Sequence, residues 1–221
     1  MAKENKLKTP PKGSVKFSIS LSAEQKAAKT QILKHPFNFI IGKAGSGKTL
    51  LAVQVALDMF FKKQINKIII TRPTISTEDN GFLPGSEREK MEPWLVPIRS
   101  NMRKVYNKLE KLERMEKSEE IELVSLAHFR GRTFDNAVVI VDEFQNLSRS
   151  QLSMAIGRLG KDSKLIFCGD SYQIDLRDKN WSAYHDMSKL VNSKYVHKTV
   201  LEDSHRHSAI DDLLELLNGY H

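Results

Sequence analysis

The chain has 221 residues, 40% of them apolar and 28% charged, and a formal net charge of +8; this balance fits one well-filled core and excludes a fibrous or wholly disordered chain. No apolar run approaches the roughly 20 residues that span a bilayer, the N-terminus MAKENKLKTPPKGSVKFS lacks a signal-type apolar stretch, and the single cysteine, Cys168, excludes an internal disulfide. A cytoplasmic protein is predicted, and the positive balance favours phosphate-rich partners such as nucleic acid.

Residues 1–18 are polar and lysine-rich with a Pro10-Pro11 pair. They read as a flexible basic tail ahead of a single domain over 19–221. Ser22 is placed to cap a helix that carries Gln25. A short buried strand follows at 38–41. Lys48–Phe61 is a helix with Leu51, Val55 and Met59 on one face, and Lys67–Thr71 is the next strand. A Pro/Gly-rich stretch, 72–85, leads to a helical region. In its charged latter part Met102, Val105, Leu109 and Leu112 recur at helical spacing, which predicts one amphipathic helix. Further strands are expected at 121–124, 137–141, 164–168 and 197–201, and helices near 150–159, 181–190 and 208–217. Near-continuous apolar strands alternating with helices predict an α/β fold: a mostly parallel sheet covered on both faces. Cys168 lies in an apolar strand and reads as a buried structural thiol.

The segment GKAGSGKT, residues 42–49, fits G-x-x-x-x-G-K-[ST] at every position. A strand leads in and an apolar-periodic helix leads out, as the motif requires. Gly42, Gly45 and Gly47 let the main chain turn its N–H groups toward one point, with Lys43, Ala44 and Ser46 between them. The helix N-terminus adds to that anion site. Lys48 is positioned to reach β and γ phosphates, and the Thr49 hydroxyl to hold Mg²⁺. ATP and Mg²⁺ are therefore the expected ligands.

Residues 137–143 read AVVIVDE, an apolar strand that ends in two acids. In an open parallel sheet, ligands sit beyond the carboxyl ends of the strands. Asp142 is expected to meet Mg²⁺ there, and Glu143 to activate the attacking water. The strand LIFCGD ends in a third acid, Asp170, followed by Gln173, an amide suited to sensing the γ phosphate.

At this point the sequence resembles the PhoH-like P-loop ATPases, which are related to superfamily 1 helicase cores. The resemblance is carried by GKAGSGKT, by TRPTISTEDNGFLPGSEREKMEPWLVPI at 71–98, and by LAHFRGRTFDNAVVIVDEFQN at 126–146. GRLGKDSKLIFCGDSYQIDL at 157–176 and SHRH at 204–207 complete it. The order and spacing hold over roughly residues 20–217. Two departures stand out. Phe144 occupies a position where the family usually has a small residue, and Arg206 follows Ser204-His205 instead of two apolar residues.

The resemblance implies a single RecA-like ATPase domain, with Gln25 reading adenine. It also implies functional roles for Arg72, Arg130 and Arg132 as nucleic-acid or ATP-edge contacts, and for Arg206 as the arginine that completes the ATP site, with Arg158 and Arg132 as rivals. The expected activity is ATP hydrolysis coupled to binding, remodelling or unwinding of RNA or single-stranded nucleic acid. A homo-oligomer, with a hexameric ring as one form, would let a neighbour lend that arginine. The competing readings are a nucleotide-dependent protein-binding switch and a small-molecule kinase. Glu143, a water-activating acid followed by Gln145, speaks against the kinase.

Overall fold

A computed structural model describes residues 15–73, 87–204 and positions 209, 210, 213 and 216, and side chains are not described at 87–91 and 94. Its elements follow the hydrophobic pattern. Helix α1, Ala23–Lys34, starts at Ser22 with a complete capping box, in which the Ser22 hydroxyl accepts the Gln25 N–H and the Gln25 side chain accepts the Ser22 N–H. Then come β1 (Phe37–Gly42), α2 (Lys48–Phe61), β2 (Lys67–Thr71), α3 (Glu87–Val105), α4 (Leu109–Lys117) and β3 (Ile121–Leu123). The second half holds β4 (Ala137–Asp142), α5 (Arg149–Ile156), β5 (Lys164–Gly169), α6 (Tyr184–Leu190) and β6 (Val196–Leu201).

The six strands pair in the order β3-β2-β4-β5-β1-β6, and every pair is parallel. Strand periodicity divides the core into two layers. Ile40, Ile68, Ile70, Val138, Ile140, Ile166 and Cys168 face α1 to α4. Phe39, Ile41, Ile69, Val139, Val141, Leu165 and Phe167 face the opposite layer with Leu152, Ala155 and Met187. The central strand β4 is buried at all six positions, whereas the edge strand β6 is buried only at Leu201. Cys168 is fully buried, and burial raises its thiol pKa well above the ordinary value. Among the described residues no helix is long and apolar enough to cross a membrane.

Of the expected basic tail, residues 1–14 lie outside the described residues; Val15 and Phe17 lie against the core, and the Ser18 N–H donates to the Val105 carbonyl at 2.9 Å. Apolar residues among the lysines give this stretch something to bury. The single amphipathic helix through Met102 and Leu112 is two helices. The Val105 carbonyl is taken by Ser18, while the Leu109 N–H turns to Asn107 at 3.1 Å. Tyr106 is buried 5.0 Å from the Phe61 ring. The break leaves Leu109 exposed and brings Leu112 and Met115 into the core. Most of the 72–85 stretch lies outside the described residues, and the four described positions of the predicted 208–217 helix are helical.

Candidate functional site

The strands β1, β4 and β5 end side by side, and their carboxyl edge collects the predicted groups. Between β1 and α2 the phosphate loop turns with Gly45 at φ +92° and Gly47 at φ +81°, angles that glycine adopts without strain. At Gly42 a Cβ would stand 2.5 Å from the Leu201 carbonyl oxygen and 2.7 Å from Ser46 Oγ, so only glycine fits beside β6. Lys48 Nζ folds back over the loop and donates to the carbonyls of Gly42 at 2.7 Å and Lys43 at 3.0 Å. Among the described residues the buried Ser46 hydroxyl has no hydrogen-bond partner.

Thr49 Oγ1 donates to Asp142 Oδ1 at 2.7 Å, joining the start of α2 to the end of β4. Asp142 is 5% exposed. Burial is the main reason its pKa is pushed up to about 6, and the charge of Glu143 adds to it; the Thr49 hydroxyl and the charges of Arg72 and Lys48 pull the other way. A hydroxyl and a carboxylate in contact are hard oxygen donors that suit Mg²⁺. Among the described residues no three His, Cys, Asp or Glu side chains gather to hold a metal by themselves. A cation here would complete its shell with phosphate oxygens and water.

Glu143 takes the left-handed conformation, φ +54° and ψ +42°, which costs a non-glycine residue about 1–2 kcal/mol. That turn carries its carboxylate into a cavity of about 590 Å³ over the phosphate loop. Gln25, Ala44, Gly45, Gly47, Lys48, Thr49 and Gln173 line the same cavity. Arg72, just past β2, reaches Glu143 Oε1 at 3.6 Å. Gln173 donates to Asp170 Oδ2 at 3.1 Å, which fixes the amide beside the acids. Gln25 sits in the wall with its Nε2 donating to the Ser46 carbonyl at 3.3 Å, tying α1 to the loop.

The other predicted arginines lie elsewhere. Arg132 pairs with Glu122 at 2.8 Å and covers the Phe134 ring at 4.9 Å. It lines a separate cavity of about 940 Å³ on the β3 flank. Arg130 is exposed on the turn at Gly131. Arg158 follows α5, where its carbonyl accepts the Phe134 N–H. Arg206 lies outside the described residues. The chain leading toward it is pinned to α1, because the Glu24 carboxylate accepts the N–H groups of Glu202 at 2.8 Å and Asp203 at 3.4 Å.

Two features were not read from the sequence. Asn101 and Lys104 of α3 and Ile19 and Ser20 ahead of α1 also line the cavity. No local motif marks them; only the packing of α3 on α2 puts them there. Gln145, whose place in the sequence spoke only against a kinase, is fully buried and bonded to Glu143. Phe144, the departure noted in the sequence, fills the space behind the acids: it is fully buried against Phe39 and Phe167, and a Cβ at Gly169 would lie 2.5 Å from its ring. The large side chain is accommodated because its neighbour across the sheet is glycine.

Sheet order, phosphate loop and strand-end acids together define a RecA-like P-loop fold. The PhoH-like protein family model matches residues 19–218, and the chain belongs to that family. Relatives include PhoH-like proteins of Synechocystis, 42% identical over 66% of this chain and 44% of the relative, and of Bacillus subtilis, 45% identical over 62% and 43%. A PhoH-like protein of Mycobacterium leprae is 35% identical over 82% of this chain and 53% of its own length. The chain thus spans about half the length of the curated relatives it matches. Among solved structures, Pif1 helicase from Candida albicans has a TM-score of 0.52 at 18% identity, covering 91% of this chain and 44% of that one. The large terminase of a thermophilic bacteriophage has a TM-score of 0.53 at 13% identity, covering 89% and 50%. At such identities the likeness concerns the fold alone.

Proposed function

We propose that the chain binds ATP with Mg²⁺ and hydrolyses it, and that hydrolysis is coupled to binding or remodelling of single-stranded nucleic acid, RNA before DNA. The observation that carries the ATPase reading is the Thr49–Asp142 contact next to Glu143, directly over a complete phosphate loop. In this reading the loop N–H groups and Lys48 bind the β and γ phosphates, and Lys48 leaves the loop carbonyls to do so. Thr49 and Asp142 hold Mg²⁺, which offsets phosphate charge when bound. Glu143 orients a water and takes its proton as the water oxygen attacks the γ phosphorus and the bond to the ADP oxygen breaks. Gln173 bonds the γ phosphate or that water.

The nucleic-acid part is supported by the +8 charge and by the loop after β5. There Tyr172 and Trp181 stand 66% and 72% exposed, and exposed aromatic rings are surfaces on which bases stack. Arg130 is the exposed arginine among the three predicted contacts. Arg72 and Arg132 face Glu143 and Glu122, so their part would be to set those carboxylates.

None of the described residues lining the cavity is an arginine. In this reading Arg206 completes the ATP site, in its own subunit or across a ring interface. Mixing inactive Lys48→Ala with inactive Arg206→Ala protein restores turnover if the arginine acts on a neighbour's site, and restores nothing if it acts on its own.

ATP turnover with and without RNA or single-stranded DNA, run beside size measurement in solution, tests the whole reading. Stimulation by RNA is expected, as is binding that weakens with salt with a slope of about −0.7 in log K against log salt for each neutralised phosphate. Turnover without any nucleic-acid binding at low salt would leave a protein-binding switch.

A further inference from the structure

The acids at the end of β4 and the loop that follows β5 leave the sheet as separate segments; Asn146 is bonded to Asp175 of that loop, and Gln145 is the side chain that joins the loop to Glu143. Gln145 is fully buried. Its Nε2 donates to Glu143 Oε2 at 2.6 Å and to the main-chain carbonyl of Gln173 at 2.9 Å. Its Oε1 accepts the Asp170 N–H at 3.1 Å. A carboxamide offers two N–H donors and an acceptor oxygen, and here all of them are used. The fit is close: a Cβ at Gly169 would lie 2.9 Å from Gln145 Oε1. The main chain at Gln145 is held as well, by the hydroxyl of Ser182 on its carbonyl.

We infer that Gln145 is a positioning residue that sets the orientation of the Glu143 carboxylate and couples it to the loop bearing Gln173. The inference rests on the reading of Glu143 as the water-activating group and Gln173 as the phosphate sensor. The chemistry follows from the geometry. Glu143 has already left ordinary backbone space, at φ +54°, and a carboxylate on a turn has free rotation about its side chain. A donor on Oε2, with Arg72 3.6 Å from Oε1, restricts that freedom where Glu143 lines the cavity. The same NH₂ group grips the Gln173 carbonyl, so movement of that loop when the γ phosphate arrives or leaves is passed to the carboxylate through one rigid amide plane. Buried polar contacts of this kind hold a reacting group in place without touching the substrate.

The test is steady-state ATP hydrolysis by Gln145→Met, which keeps the length and removes both donors. Expected is a fall in kcat of about 10- to 100-fold with KM for ATP unchanged within about threefold. Ser182→Ala loosens the same place without touching Glu143, and is expected to lower the melting temperature and leave kcat near wild type. If Gln145→Met does not fold, Gln145→Asn keeps the amide and shortens its reach, and the same loss of kcat at constant KM is expected.

Wild-type kcat in the folded Gln145 variant, with Lys48→Ala and Glu143→Gln inactive, overturns this inference and leaves the site reading standing. A variant that behaves like Ser182→Ala also overturns it. Full activity in Lys48→Ala and Glu143→Gln would instead sink the reading on which it rests.

Discussion

Acids withdrawn from solvent occur in two regions of this molecule, and their surroundings are opposite. On the flanks, Asp58 on α2 meets Lys29 of α1 at 2.6 Å and Lys62 at 3.0 Å. Glu122 on β3 meets Lys67 and Arg132. Burial works against both charges, yet hydrogen bonds and charge from the lysines and the arginine outweigh it, and both pKa values lie below the ordinary one. At the carboxyl edge of the sheet, Asp142 has a hydroxyl as its direct partner and another acid as its neighbour, and its pKa is pushed up to about 6. Flank carboxylates stabilise the fold. The one at the edge is kept under-compensated, which suits it to the cation proposed there.

The largest expected effects break the chemistry of the edge and spare the fold. Lys48→Ala should abolish ATP turnover, measured as phosphate release, with the melting curve little changed; near wild-type turnover would remove the phosphate loop from the catalytic role. Glu143→Gln should still bind ATP but hydrolyse it about 10² to 10⁴ times more slowly. Equal loss of ATP affinity in Glu143→Gln and Asp142→Ala, with no slowing of hydrolysis of bound ATP, would break the division between metal holder and base.

Smaller effects compare the two regions by stability. The folded Asp142 holds its proton up to about pH 6, and the unfolded one releases it near 4. Between those values the native state binds more protons, so stability falls as pH rises and the full cost remains above pH 6. Two pH units correspond to about 3 kcal/mol. Asp142→Asn should therefore raise the stability of the nucleotide-free protein at pH 7 by up to about that amount, while impairing Mg²⁺-dependent hydrolysis. Denaturant melts at pH 4 and pH 7 measure it, and a loss of stability at pH 7 would refute the contrast. Asp58→Asn should do the reverse. Its folded pKa is lowered, so its contribution is present above the unfolded pKa and is lost as pH falls through the folded one. The substitution should cost about 1–2 kcal/mol at pH 7 and flatten the acid side of the stability curve. No pH dependence in the cost would show that Lys29 and Lys62 do not hold a charge there.

Much of this was legible in one dimension because local rules and tertiary packing agree. The run AVVIVD is buried at every position, as a central parallel strand requires. Ser22 and Gln25 form the box that their spacing announces. The phosphate loop combines glycines at positive φ with a helix start, and both are encoded in eight consecutive residues. The misjudged stretch is one where distant chain intervened. The periodicity of Met102, Val105, Leu109 and Leu112 is helical, but a hydrogen bond from Ser18 and the burial of Tyr106 divide the helix.

The sequence by itself determined the strand pattern, the phosphate loop and the acids at the end of β4, since each is written in adjacent residues whose backbone preferences and polarity leave few alternatives. The tertiary structure alone decided which groups face one another. Arg72 and Arg132 look alike along the chain, yet sheet order β3-β2-β4 brings one to Glu143 and leaves the other on Glu122 at the far edge. Asn101 and Lys104 enter the cavity only because α3 packs on α2. Gln145 joins Glu143 to Gln173 only because β4 and β5 are neighbours in the sheet though not in sequence. Hydrogen bonds and charge act over a few ångströms of space, and that spacing exists only once the strands are ordered.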